Sequence, residues 1–523
     1  MNLLKNFATV GAATLVSRVL GFARDAFMAS MLGSGPVADA FLVAFRLPNL
    51  FRRLFAEGAF NAAFVPLFAR AVEEGGEAKA KGFAEEILAG LLFTLLIVTA
   101  VAEIFMPALV FGLAPGFADE AEKFELATAM TRIMFPYLLC MSLTAMASGM
   151  LNSMGRFALA GFAPSLLNVV LVAALGFIWW EGLAATEEAA FVLSWAVCAA
   201  GFLQLASLAI GLRAIGFRLK LRRPRMTPGV KRLLVLGVPG VIAGGITQIN
   251  VVIGTIIAST QASAVSYLYY ADRLYQLPLG VVGVAIGVVL LPDITRQLRS
   301  PTPETALHTQ NRALEFSMAL TLPATVALMV IPVEIVRVLF ERGAFDAADS
   351  LATGAAVAAY AAGLPAFVAI KVFQPGYFAR EDTRTPTLYA GISMVANVVL
   401  ALALFPALAH VGIALATSLS SWINAGLLAA GLMRKGRVVP DRLLLKRLPL
   451  LALASVLMGA GLWFGAEELS ASLTPQAGLA ASFGALAVLV FSGVGLFGFF
   501  AVVTGAVDVR RYAAQIAARQ RKG

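Results

Sequence analysis

The sequence predicts an all-α polytopic membrane protein, on the basis of its composition, its apolar runs and the charges between them. The chain has 523 residues, of which 60% are hydrophobic and only 13% are charged. A soluble protein of this size carries about 25% charged residues. Apolar runs of about 20 residues, long enough to cross a bilayer as helices, recur from end to end. These runs are continuous and do not alternate, so a β-barrel is not expected.

The apolar runs predict about fourteen transmembrane helices. Their expected spans are 5–32, 37–69, 82–111, 126–151, 157–180, 189–212, 230–258, 264–296, 306–331, 350–378, 386–405, 409–433, 444–466 and 477–506. The first run has a single lysine and no small-residue cleavage site after a short apolar core. We therefore expect it to be a retained helix and not a signal peptide.

The loops between the predicted helices alternate in charge. Acidic loops contain GFADEAEKFE (116–125), EGLAATEE (181–188) and FGAEELSAS (464–472), whereas residues 213–232 carry eight Lys or Arg and no acid. The segments RQLRS (296–300), MRKGR (433–437) and 509–523 are also basic. The positive-inside rule places the basic set, and with it both termini, in the cytoplasm. The same rule accounts for the net charge of +10, so we expect no nucleic-acid partner.

The two halves of the chain resemble each other. NVVLVAAL (168–175) recurs as NVVLALAL (397–404), and Pro136 recurs as Pro365 at the same offset of 229 residues. Gly11 and Gly237 pair at a similar offset of 226. Each repeat contains six helices. Because this number is even, both copies enter the membrane in the same direction. We therefore expect two parallel six-helix lobes, as in transporters that bind their substrate between lobes near the membrane midplane.

The repeat predicts the domain boundaries. We expect an N-terminal six-helix lobe over 1–212, a basic cytoplasmic linker over 213–229 and a C-terminal six-helix lobe over 230–433. Residues 434–523 then hold two additional transmembrane helices and a basic cytoplasmic tail.

Besides Lys5 at the start of the first one, the first two predicted helices contain eight charged residues. They are Arg18, Arg24, Asp25, Asp39, Arg46, Arg52, Arg53 and Glu57. An arginine at the centre of a membrane helix costs about 2.5–3.5 kcal/mol on the insertion scale. Five lipid-facing arginines would therefore cost roughly 12–17 kcal/mol, which is comparable with the stability of a whole domain. These side chains must line a wet cavity, pair with acids or reach towards the membrane surface.

The charge balance of this set indicates an anionic ligand. Asp39, Arg46, Arg53 and Glu57 fall on one helical stripe, so Arg53 and Glu57 are placed to pair, while Arg52 points away from it. The set contains five arginines and three acids, so complete internal pairing would leave a surplus of two positive charges. Unpaired buried cations need a counter-charge, and guanidinium groups bind phosphate in a bidentate manner. The alternative is a salt-bridged network that only fixes helix packing.

Pro48 lies within the second predicted helix and is expected to bend that helix.

The second half of the chain is mostly neutral at the position that corresponds to the first helix. The eighth predicted helix supplies Asp272 and Arg273. Asp272 is placed to neutralise Arg273, and the alternative is that Arg273 contributes to the cationic site from the opposite lobe. Asn250, Asn397 and Asn424 are neutral residues of predicted helices, and we expect them to pack or to form interhelical hydrogen bonds.

Several of these segments resemble the MurJ (MviN) lipid II flippase family of the multidrug/oligosaccharidyl-lipid/polysaccharide exporter superfamily. They are SRVLGFARD (17–25), DAFLVAFRLPNLFRRLFAEGAFNAAFVPLFA (39–69), APGF (114–117) and YYADRLYQLPLGVVGVAIGVVLLP (269–292). The resemblance covers essentially the whole chain. It implies a fourteen-helix protein of the bacterial inner membrane that moves the undecaprenyl-diphosphate-linked peptidoglycan precursor from the cytoplasmic to the periplasmic leaflet. It also implies that the last two helices form a groove for the lipid tail.

The resemblance assigns roles to particular residues. The cavity arginines of the family correspond to Arg18, Arg24, Arg52 and Arg273, which are expected to bind the substrate. Supporting or gating positions correspond to Asp39, Asn49, Glu57 and Ser266, and Asp272 is grouped with them. Gln276 stands where some relatives have an acid. Some relatives bind sodium through aspartates of the second lobe, but the corresponding helices here offer no clear aspartate, so no metal site and no cofactor are predicted.

Four other functions are alternatives to lipid II transport. A flippase for another polyprenyl-diphosphate-linked oligosaccharide is the closest, because it handles the same diphosphate. A multidrug exporter for cations would need an acidic cavity, which the surplus of arginine argues against. A membrane phosphotransferase would need clustered acids for Mg²⁺ or a catalytic histidine, and only His308 and His410 exist. A scaffold of the division machinery would not need a cationic cavity. The expected partners are lipid II, membrane lipids and the cell-wall synthesis machinery, and the chain is not expected to be an enzyme.

Overall fold

A computed structural model describes residues 2–53, 59–298, 304–436 and 439–507. Seventeen α-helices and two short 3₁₀ turns account for the regular structure of these ranges, which contain no β-strand. The predicted all-α class is therefore confirmed for this part of the chain. Nine helices within it are long and apolar enough to cross a membrane. The number fourteen stays a prediction.

The first nine helices follow one another from the N-terminus to Ala258. They are α1 (Asn2–Leu32), α2 (Pro36–Arg52), α3 (Ala59–Ile104), α4 (Met106–Leu113), α5 (Ala121–Met134), α6 (Tyr137–Ser153), α7 (Phe157–Glu181), α8 (Glu187–Ala214) and α9 (Pro228–Ala258), with a 3₁₀ turn at Pro115–Asp119.

Eight further helices complete the described chain. They are α10 (Ala264–Leu298), α11 (Glu304–Val330), α12 (Pro332–Phe340), α13 (Ala347–Ala361), α14 (Leu364–Phe378), α15 (Arg384–Arg434), α16 (Arg442–Glu468) and α17 (Leu479–Val503), with a 3₁₀ turn at Pro475–Ala477.

Two long helices contain sharp breaks where the sequence predicts loops. In α3, Gly75 and Gly76 have non-helical dihedral angles, with φ of −150° and +64°. Glycine reaches a positive φ at no steric cost, so the pair joins two helical halves of different direction. In α15 the break lies at Ala409, at φ +51°, between the predicted spans 386–405 and 409–433.

Proline breaks occur at equivalent places in the two halves. Pro136 separates α5 from α6, and Pro365 stands at the start of α14, directly after the break that follows α13. Proline has no N–H to donate to the preceding turn, so it favours a helix start over a helix interior. Likewise, α4 follows the end of α3 and α12 follows the end of α11 after a single residue, each with proline in its first turn. These breaks lie at positions that correspond in the predicted repeat.

The chain divides into two compact units. The first comprises Met1–Ser266 and Arg342–Phe345. Within it α1 packs along α7, α3 packs against α6 and α9, and α2 packs against α5. A buried apolar core forms around Phe64, Phe68 and Ile87.

The second unit comprises Tyr267–Glu341 and Asp346–Gly523. Its helices α11, α14 and α15 pack together around Val368, Val372 and Tyr377. The last two helices pack on each other, and α16 packs on α11. The predicted boundaries at residues 212, 229 and 433 stay predictions.

Large apolar side chains remain exposed on many helices. Examples are Trp180 at 80%, Phe491 at 75% and Val494 at 66% exposed. A soluble protein rarely exposes contiguous apolar surface on this scale. These faces suit contact with lipid, which agrees with the apolar composition of the same helices. Trp179 and Trp180 end α7, directly before Glu181 and the left-handed cap Gly182 at φ +69°.

Candidate functional site

Arg24 is fixed inside the first unit by two neighbours. Its side chain is buried and donates to Asp25 Oδ1 from Nη2 at 2.6 Å and from Nε at 3.0 Å. Its Nη1 donates to Asn168 Oδ1 on α7 at 2.9 Å, and Asn168 Nδ2 donates to the backbone oxygen of Ser17 at 3.0 Å. Arg24 and Asn168 therefore tie α1 to α7. Asp25 forms an ion pair with Arg24 on the same helix.

Arg18 lies one and a half turns before Arg24 on α1, and its side chain is exposed. Within the described ranges it makes no hydrogen bond or ion pair with another side chain. Of the four arginines predicted to bind substrate, Arg18 is exposed, Arg52 and Arg273 are half-buried and Arg24 is buried. Asn168 is a residue that sequence reasoning missed, because its partner Arg24 is 144 positions away.

Asp39 is completely buried at the start of α2 and accepts four hydrogen bonds. Its Oδ1 accepts from the backbone N–H of Ser266 at 3.0 Å and from Ser266 Oγ at 2.6 Å. Its Oδ2 accepts from the backbone N–H of Ser263 at 3.0 Å and from Lys123 Nζ at 3.3 Å. A carboxylate at this place caps the free N–H groups of the first turn of α10. The structure thus brings together Asp39 and Ser266, both of which the sequence assigned to support or gating.

Lys123 is the cation that neutralises Asp39, and sequence reasoning missed it. Its ammonium is 3.3 Å from Asp39, 3.7 Å from Glu120 Oε1 and 4.3 Å from the centre of the Phe117 ring. The sequence placed this lysine in an acidic surface loop, but α5 begins at Ala121 and buries it. The signal that points to it is Asp39 itself, because a carboxylate in an apolar span requires a partner.

The inner part of α2 carries the other predicted residues. Pro48 leaves one carbonyl of the preceding turn without its helical donor, and Asn49 Nδ2 donates to Phe45 O at 2.8 Å. The half-buried Arg52 donates from Nε to Asn49 Oδ1 at 3.2 Å. Arg46 donates to Thr255 Oγ1 of α9. Asn49 thus orients Arg52 within one helical turn.

The remaining predicted pair cannot be described, because Glu57 lies outside the described residues. Arg53 is exposed at the end of α2. Its pairing with Glu57 stays a prediction.

In the second unit, Arg273 is held against an aromatic ring. Its Nη2 donates to Tyr269 Oη at 3.2 Å, and its guanidinium carbon lies 4.7 Å from the centre of the same ring. Asp272 accepts from Gln276 Nε2, one turn further along α10. Gln276, which replaces an acid of some relatives, therefore serves as a neutral donor. Both charged residues are half-buried.

The described side chains of these helices provide cationic and hydrogen-bonding groups. In the described ranges, no group of three or more His, Cys, Asp or Glu is placed to hold a metal ion. In the first unit, guanidinium groups on α1 and α2 suit an anion with several oxygen acceptors, and in the second unit the guanidinium of Arg273 on α10 suits the same kind of ligand. Asp39, by contrast, already accepts from four donors and serves to position α10.

Solved structures with the same fold are membrane transporters. A structure described as the lipid II flippase MurJ in an inward closed conformation matches with a TM-score of 0.76 and 25% identity, over 94% of this chain and 98% of that one. An inward-facing multidrug transporter of the MATE family matches with a TM-score of 0.64 at 16% identity, over 80% and 94% of the two chains, which shows the fold alone. The fold and the charged helices thus define a polytopic membrane transport protein.

Sequence comparison gives the family. The family model of the lipid II flippase MurJ matches residues 28–480. A probable lipid II flippase MurJ of Rhizobium meliloti (strain 1021) is 52% identical over 507 residues, which cover 97% of this chain and 94% of the relative. The lipid II flippase MurJ of Burkholderia cenocepacia is 35% identical over 446 residues, 84% of this chain and 86% of the relative. The chain belongs to the lipid II flippase MurJ family.

Proposed function

We propose that this protein moves lipid II, the polyprenyl-diphosphate-linked peptidoglycan precursor, from the cytoplasmic to the periplasmic leaflet of the inner membrane. The observation that carries the proposal is the identity of 52% with a probable lipid II flippase over nearly the whole length of both chains. The function is transport and not catalysis. The partners are lipid II, the surrounding membrane lipids and the machinery that synthesises the cell wall.

The proposed substrate site consists of Arg18, Arg24, Arg52 and Arg273, which bind the diphosphate. Exposure of the Arg18 guanidinium and the orientation of Arg52 by Asn49 support direct contact for these two. Arg24 contributes from a position fixed by Asp25 and Asn168. Each guanidinium group donates several hydrogen bonds, so it binds the phosphate oxygens without proton transfer.

The proposed mechanism is alternating access between two lobes of six helices. The contacts of Asp39 with Ser263 and Ser266 support a gating role, because they connect α2 with the first turn of α10. Substrate enters from the cytoplasmic side while its lipid tail stays in hydrocarbon, and rocking then opens the periplasmic side. The basic loops support a topology with both termini in the cytoplasm.

The proposal is tested by complementation with leaflet-resolved measurement of lipid II. Arg18, Arg24, Arg52 and Arg273 are replaced singly by alanine as the only chromosomal copy, and membrane expression of each variant is confirmed. We expect lipid II to be retained in the inner leaflet of each variant. Arg384→Ala, at an exposed loop arginine at the start of α15, is the matched control and should translocate normally. Unchanged translocation in all four variants would overturn the site.

A further inference from the structure

The segment between α8 and α9 is held against the first unit along one side. Phe217 is buried and meets the Phe68 ring edge-on, with ring centres 5.9 Å apart. Leu219 packs on the same apolar core. Residues 217–227 form no helix or strand. We call residues 215–227 the strap, because this non-helical segment is anchored at several points along its length.

Two acids of α3 anchor the polar part of the strap. Glu85 is only 2% exposed, and it accepts the backbone N–H of Lys220 at 3.0 Å and Arg222 Nε at 2.7 Å. Glu86 accepts the Thr227 hydroxyl at 2.7 Å, and Thr227 Oγ1 in turn accepts the N–H of Val230 and caps α9. A buried carboxylate requires such partners. The strap therefore has a defined position.

The exposed side chains of the strap include both arginines and apolar residues. Arg218, Arg223 and Arg225 are exposed. Leu221 and Met226 stand among them with 67% and 71% of their surface exposed. Phe217 and Leu219 pack on the apolar core, whereas Arg218 between them is exposed to the outside. The strap presents arginine beside exposed aliphatic side chains.

The strap also lies at a membrane boundary. It follows α8, a 28-residue apolar helix that ends at Ala214. A segment that directly follows a membrane span begins at the level of the lipid headgroups. Lys/Arg clusters at this level attract anionic lipids, and neighbouring apolar side chains insert between the headgroups.

We propose that the outer face of the strap docks on anionic phospholipid headgroups, with Arg218, Arg223 and Arg225 as the binding cations. A soluble acidic partner would explain the arginines but not the exposed Leu221 and Met226 beside them. The contacts of Glu85 and Glu86 hold the strap in place before lipid binds, so less ordering is required on binding. This site is separate from the arginines of α1, α2 and α10.

The proposal is tested by chymotrypsin cleavage of the full-length protein in lipid nanodiscs, in which both faces are accessible. Chymotrypsin cleaves after Leu221, and its sites survive replacement of arginine. Nanodiscs contain phosphatidylcholine alone or with a third of phosphatidylglycerol. We expect phosphatidylglycerol to slow cleavage by at least about fivefold, the effect of roughly one cation at an anionic surface. At about 1 M KCl the Debye length is near 3 Å, so the protection should disappear.

The variant R218Q/R223Q/R225Q should be cleaved equally fast in both lipids. The matched control R434Q/R442Q/K446Q neutralises three exposed cations near the start of α16 and should keep the protection. An unchanged melting temperature of the strap variant shows that it is folded. Equal cleavage of the unmodified protein in both lipids would overturn the proposal, as would protection that survives in R218Q/R223Q/R225Q. Protection by a soluble polyanion, but not by phosphatidylglycerol, would assign the face to a different partner and also overturn it.

Discussion

At the scale of single residues, the charges of the first two helices divide into two kinds. Asp39 and Arg24 are buried and bound to partners from distant parts of the chain. Arg18 and Arg53 are exposed. Sequence reasoning predicted that these positions matter, because charge in an apolar span is costly. It did not predict Lys123 or Asn168, since the pairing of residues far apart in sequence leaves no local pattern.

Replacement of Lys123 by methionine should destabilise the protein by about 3–5 kcal/mol, because it leaves the buried Asp39 carboxylate without its cation. Both side chains are at most 3% exposed, so solvent does not compensate. The free energy of unfolding in detergent measures the effect. The double variant Lys123→Met/Asp39→Asn should lose less than the sum of the single variants. Additive losses would show that the ammonium and the carboxylate are not coupled.

Replacement of Asn168 by alanine should cost about 1–3 kcal/mol, because a buried donor of Arg24 then has no acceptor on α7. Asn152→Ala, at an exposed position near the end of α6, is the matched control and should change stability little. Thermal unfolding of the two variants in the same detergent compares them. Equal stability of N168A and the unmodified protein would contradict the proposed connection between α1 and α7.

At the scale of elements, helix ends are set by local chemistry that the sequence shows only in part. Thr186, Thr227 and Asp441 cap the starts of α8, α9 and α16 with side-chain oxygens. Between α1 and α2, Gly33 adopts φ +66°. There the backbone of the 342–345 turn lies directly against it, and Ala344 N–H donates to Ser30 O at 2.8 Å. A proximity of this kind, between segments 300 residues apart, was not predictable from the sequence.

Gly33→Ala should destabilise this turn by about 2 kcal/mol or more. A left-handed φ costs an alanine about 1–2 kcal/mol, and the new Cβ would clash with Ala344 O. Gly35→Ala is the matched control, because Gly35 has φ −75° and no atom near the position of a Cβ. Melting temperatures of the two variants provide the measurement. A similar small effect of both changes would contradict the close backbone contact.

The stability of the fold at the start of α16 should depend on pH, because Asp441 caps this helix. Burial by itself would raise the pKa of Asp441, but the N–H of Leu444, the Arg312 guanidinium at 2.6 Å and His308 together lower it. A carboxylate with a lowered pKa stabilises the fold above its unfolded pKa of about 3.9, and this contribution is lost as pH falls through the folded pKa.

Asp441→Asn keeps a capping oxygen but removes the charge that pairs with Arg312. It should therefore cost roughly 0.2–1 kcal/mol at pH 7, the value of a partly exposed ion pair, and less in acid. Melting curves of both proteins from pH 7 down to pH 3 measure the difference. A stability difference that stays constant over this range would show that the charge of Asp441 does not contribute.

At the scale of the whole molecule, length and apolar continuity predicted most helices closely. The expected span 157–180 corresponds to Phe157–Glu181, and 444–466 corresponds to Arg442–Glu468. The expected helix 126–151 is instead two helices, α5 and α6, because Pro136 interrupts it. Hydropathy is insensitive to such a break, since both sides of the proline are equally apolar.

The membrane potential should accelerate transport if the cargo crosses outward as a dianion. An inside-negative potential favours this movement by about 2.3 kcal/mol per charge per 100 mV. Translocation in proteoliposomes should therefore slow when the potential is collapsed at constant pH. An unchanged rate would show that the potential does not drive the step.

Because α7 is long, the thickness of the bilayer should affect how this helix lies in the membrane. Its 25 residues extend about 37 Å at 1.5 Å per residue, which exceeds a hydrocarbon layer of about 30 Å. A helix longer than the layer accommodates the excess by tilting, and tryptophans such as Trp179 and Trp180 at a polar end favour the membrane interface. Because α1 packs along α7 and Arg24 is bound to Asn168, a change of tilt moves Arg24 with it. The depth of this arginine is thus coupled to the tilt of α7, and through it to the thickness of the surrounding membrane.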